Sequence, residues 1–89
     1  MIQEYNLIIS GIFDERDKNL KTLVKKLNTV LSQTPIVVLS NTVSHKEFAG
    51  QIHFSITFTI QAEIQWINDF RKYLEKQRNY TMRYLLNES

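Results

Sequence analysis

Residues 51–61, Gln-Ile-His-Phe-Ser-Ile-Thr-Phe-Thr-Ile-Gln, alternate apolar and polar without exception. Ile52, Phe54, Ile56, Phe58 and Ile60 fall on one side, and Gln51, His53, Ser55, Thr57, Thr59 and Gln61 on the other. A period of two is the strand period, so this segment predicts a β-strand with one dry face and one polar face. Burying the five large apolar side chains contributes on the order of 8–15 kcal/mol gross, which chain entropy largely offsets.

The rest of the chain supplies the partners for that strand. Segment 5–13, Tyr-Asn-Leu-Ile-Ile-Ser-Gly-Ile-Phe, reads as a first strand, apolar enough for a central position. Asp14-Glu15-Arg16-Asp17 reads as a helix start, with Asp14 as N-cap and acidic residues at the positive end of the dipole. Leu20, Leu23, Val24, Leu27 and Leu31 recur at helical spacing, and Pro35 places the end of this helix near Gln33. Residues 36–43 are β-branched and predict a second strand. Residues 44–50 read as a polar connection forming a hairpin with the alternating strand. From about Ala62 to Asn79 the period becomes 3.6, with Ile64, Ile67, Phe70 and Leu74 as the stripe and Trp66 and Tyr73 beside it. Residues 80–86 close as a short last strand. The order β-α-β-β-α-β predicts a ferredoxin-like α+β fold, a four-stranded antiparallel sheet with both helices on one face. Right-handed crossovers put strands one and three in the middle.

The 89 residues fit one domain spanning 1–89. The chain has no cysteine, which excludes disulfides, thiolate metal sites and thiol nucleophiles. The amino-terminal residues show no basic region ahead of an apolar stretch. No apolar run reaches the roughly 20 residues of a membrane span. The expectation is a soluble, cytoplasmic protein without membrane partners. Net charge is only +2, and neither half of the chain is skewed. That balance does not favour a dedicated nucleic-acid protein.

Several residues invite a chemical reading. The polar side of the alternating strand offers His53, Ser55, Thr57 and Thr59, with Ser10, Ser40 and Arg83 expected from neighbouring strands. Hydroxyls and one guanidinium suit a phosphate or carboxylate, although small polar residues also simply suit a solvated sheet face. His45 reads as a solvated loop residue, and a lone histidine defines no metal site. Asp14, Glu15 and Asp17 are accounted for by helix capping. Lys18, Lys21, Lys25 and Lys26 are candidates for a nucleic-acid surface, or for an ordinary solvated helix face. Stacking-type RNA recognition needs aromatics on the open face, whereas Phe54 and Phe58 fall on the core side. No phosphate loop, nucleophile elbow or zinc-protease motif occurs. The expectation is a non-enzymatic protein without cofactor or bound metal.

Residues 53–74, His-Phe-Ser-Ile-Thr-Phe-Thr-Ile-Gln-Ala-Glu-Ile-Gln-Trp-Ile-Asn-Asp-Phe-Arg-Lys-Tyr-Leu, resemble the YbeD-like family of small bacterial proteins. There a Ser/Thr–Ile/Val strand passes through an Ala-containing junction into an amphipathic helix. ACT-type regulatory domains are similar in pattern. The chain departs from the family in its Met1-Ile-Gln-Glu lead-in and in its last strand, and no catalytic residues carry over. The resemblance implies a regulatory or interaction module.

These readings converge on a protein-interaction module acting through its sheet face or edge strands, with another protein or a second copy as partner. Met82, Tyr84, Leu85 and Leu86 would give the last strand an apolar interaction edge. Weak nucleic-acid binding through the lysine-rich helix is the alternative. A small-ligand-sensing ACT-like domain, or a phage-encoded inhibitor of a host protein, is the third.

Overall fold

The computed structural model of the chain describes residues 1–14, 19–77 and 82–89. Its elements follow the order β1 (Ile2–Asp14), α1 (Asn19–Ser32), β2 (Val37–Phe48), β3 (Gln51–Glu63), α2 (Ile64–Gln77) and β4 (Met82–Glu88). The strands form one sheet in the order β2-β3-β1-β4, with each neighbouring pair antiparallel. This is the ferredoxin-like α+β arrangement, with the alternating strand β3 and the apolar strand β1 in the centre.

The alternation in β3 becomes burial in the same pattern. Phe54, Ile56, Phe58 and Ile60 are buried, together with Ala62 at the end of the strand. In β1 the odd positions Tyr5, Leu7 and Ile9 are buried, and the register sets them opposite Ile60, Phe58 and Ile56. Leu27 and Leu31 from α1 and Ile67, Phe70 and Leu74 from α2 close the same core. Phe13 stacks on Phe54 with ring centroids 4.8 Å apart and planes 12° apart, extending the core toward the hairpin end of the sheet.

Three features differ from the sequence expectations. Residues 44–48 belong to β2, so the hairpin connection is only Ala49-Gly50, both with positive φ (53° and 77°). Two consecutive left-handed residues match a two-residue type I′ turn, whose twist suits a hairpin. Second, β3 passes into α2 at Glu63–Ile64 with no loop, and Ile64 is 55% exposed instead of joining the apolar stripe. It is the first helical residue, before the helix has turned its buried face onto the sheet. Third, β1 runs on to Asp14, which lies opposite Gln51. Glu15, Asp17, Lys18 and residues 78–81 lie outside the described residues.

The C-terminal end of α1 is well defined. The Thr34 hydroxyl donates to the Leu31 carbonyl at 2.7 Å and accepts the Ile36 N–H at 3.2 Å, closing the helix before Pro35.

Strand length controls what the helices can cover. β1 and β3 have 13 residues each, and the chain spans 45 × 22 × 19 Å. A helix of 14 residues is only about 21 Å long, roughly half the length of such a strand. All 12 residues of the outer strand β2 are exposed, including those paired with buried residues of β3.

Candidate functional site

The register assembles the open face of the sheet into cross-strand rows. Ser10 lies opposite Arg83 on one side and Ser55 on the other, and Ser55 lies opposite Ser44. This row of one guanidinium and three hydroxyls crosses all four strands. In a second row Thr59 lies between Asn6 and Ser40, and the Thr59 hydroxyl donates to Asn6 Oδ1 at 3.4 Å. His53 sits between Ile12 and Lys46. Ser55, Thr57, Thr59, His53 and Arg83 therefore share one face, with Ser10 and Ser40 beside them.

That face is not uniformly polar. Ile8 lies between Leu85 and Thr57, and Leu85 is 54% exposed. Ile8 and Ile12 escaped notice in the sequence because β1 is apolar on both faces. Only the register shows that even-numbered positions face outward.

At the outer edges the two strands differ. β4 was expected to offer Met82, Tyr84, Leu85 and Leu86 to a partner. Met82 and Leu86 are buried in the core, and Tyr84 is half-buried with its hydroxyl donating to Glu75 Oε1 at 2.5 Å. Of the four, Leu85 alone is exposed, because alternation in a strand beside the core turns every second residue inward. The apolar surface instead lies on β2, where Val37, Val38, Leu39, Val43 and Phe48 are all exposed. A register irregularity between Val38 and Ser40 places Leu39 in a bulge. Among the described residues β2 pairs with β3 alone, leaving one backbone edge open along the strand.

On the helix side, a groove of about 570 Å³ runs between α1 and β2. Lys21, Val24 and Lys25 form its α1 wall, facing Val43 and His45 on β2. Asn28 and Thr29 continue the α1 wall. His45 thus lies in a strand facing a groove, in place of the solvated loop expected for it. Lys21, Lys25 and Lys26 are exposed on α1. Among the described residues no group of three histidines or carboxylates could hold a metal ion, and no helix is long and apolar enough to cross a membrane.

No family model and no curated protein matches the chain. Solved structures do. An unknown protein from Galdieria sulphuraria superposes with a TM-score of 0.78 at 15% identity, covering 99% of this chain and 50% of the other. A formyltetrahydrofolate deformylase from Burkholderia mallei superposes with a TM-score of 0.63 at 13% identity, covering 94% of this chain and 27% of the deformylase. The chain thus spans half or less of the proteins it resembles. At these identities the likeness is one of fold.

Proposed function

We propose that the protein is a non-enzymatic interaction module whose β2 edge adds to the sheet of another chain, in the first instance a second copy of itself. The observation that carries this reading is the exposure, along its whole length, of a 12-residue outer strand bearing five large apolar side chains. An open strand of this length offers N–H and C=O groups for β-augmentation, and its apolar residues supply the side-chain contacts. Edge strands of monomeric proteins are usually short, charged or covered, and β2 carries only Lys46 and Glu47 as charges, both near its tip.

The fold likeness to a segment of a longer enzyme agrees with a module that works beside other domains. The regulatory character suggested by the YbeD-like and ACT-type resemblance belongs to the same proposal. Light scattering across a concentration series tests it, with Val37→Lys/Leu39→Lys as the edge variant. Self-association that the double variant abolishes supports the reading. A monomer at high concentration, with no specific partner recovered in a pull-down, overturns it.

A further inference from the structure

Apart from Val43, the groove between α1 and β2 uses side chains that edge pairing does not. We propose that it binds a small amphiphilic anion, with an apolar body on Val24 and Val43 and one acidic head group at Lys21, Lys25 and His45. Lys21 and Lys25 are four residues apart and so share one face of α1, with Val24 beside them. Val43 and His45 are two apart in β2, so they share the strand face opposite that wall.

Among the described residues the lining holds no carboxylate. On the same face of β2 the described acid is Glu47, two residues beyond His45. A cationic rim over an aliphatic floor complements a ligand that is charged at one end only. A volume of about 570 Å³ falls within the roughly 300–1,000 Å³ of small-molecule sites. The two lysines span about one helical turn, a match for one head group and not for an extended phosphate backbone. The site stands independently of edge pairing, since it lies on the helix face of β2 and not along its backbone edge.

Titration of the intact chain with 8-anilinonaphthalene-1-sulfonate tests the proposal, alongside the neutral N-phenyl-1-naphthylamine. The anionic probe should bind once per chain, and Lys21→Glu/Lys25→Glu should weaken it about tenfold or more. The neutral probe should lose little, and Lys72→Glu/Lys76→Glu on α2 should leave both probes unchanged. Amide shifts in the NMR spectrum should gather at Val24, Val43 and His45. If the Lys21/Lys25 charge reversal compromises folding, Lys21→Met/Lys25→Met replaces it with the same expected loss. An unchanged affinity for the anionic probe in a folded variant overturns the proposal, as do shifts centred elsewhere, for instance on Leu85.

Discussion

Ala49 and Gly50 adopt consecutive left-handed conformations, φ 53° and 77°, and this pair alone turns β2 into β3. An alanine in that region is strained because its Cβ crowds the backbone, whereas Asn and Gly tolerate it. Ala49→Asn and Ala49→Gly should therefore each stabilise the fold by about 0.5–1 kcal/mol. For a domain of this size that is a rise of several degrees in Tm, measurable by circular dichroism. Gly50→Ala should do the opposite. A side chain there would meet nothing within 4 Å, so its cost is backbone strain alone.

The two faces of β3 should respond very differently to truncation. Phe58 is fully buried between β1 and the helices, so Phe58→Ala should cost about 3–5 kcal/mol and leave little of a small domain's stability. Ile56→Val, a milder probe of the same core, should cost about 0.5–1.5 kcal/mol. Thr57, between them on the open face, should tolerate Ser within about 0.5 kcal/mol. Urea unfolding of the three variants would show whether the alternation of burial is also an alternation of energy.

Alkaline pH should find a specific weak point. Burial raises the Tyr73 pKa above its ordinary value of 10.0. Tyr73 also stacks against Phe70 at 5.9 Å. A folded pKa above the unfolded one means that the stabilisation is complete below about pH 10 and is lost as pH rises through the raised value. Tyr73→Phe should thus flatten the fall of Tm above about pH 10, leaving it unchanged at lower pH. Tyrosinate absorbance near 295 nm would follow the ionisation directly.

Substitutions on the β2 edge should separate association from folding. Val37 and Leu39 are about half exposed, so replacing both by Lys should change monomer stability by less than about 1 kcal/mol. Any self-association should nevertheless disappear, because charged side chains on an edge oppose further strand pairing. Paired melting and light-scattering measurements on the double variant would distinguish the two effects.

Tyr84 links β4 to α2 through its hydrogen bond to Glu75. Glu75→Gln keeps an acceptor but removes its charge, and should weaken this tie by about 1 kcal/mol, measurable by urea unfolding.

Much of this fold is legible in the residues because it depends on local periods. The parity of 51–61 identifies the buried side of β3, and the 3.6-residue spacing of Leu27 with Leu31, and of Ile67 with Phe70 and Leu74, marks the helix faces. Strand and helix periods follow from backbone geometry, so a single chain displays them without reference to its neighbours. The open-face grouping of Ser10, Ser40, Ser55, Thr57, Thr59 and Arg83 could be inferred the same way, since parity and strand order together imply it.

What only the tertiary structure decided is which of the apolar residues outside the alternating strand are covered. Met82 and Val43 both look like apolar strand residues in sequence, yet Met82 is buried against the core and Val43 is exposed in a groove. The difference lies in what packs beside each strand: Met82 of β4 joins the core, whereas β2 lies to the side of it, so that Val43 is exposed although it pairs with the fully buried Ile56. Burial is a property of the surroundings, and those surroundings come from distant parts of the chain. The β2 edge and the α1–β2 groove, the two surfaces on which the functional proposals rest, therefore emerge only when all six elements are assembled.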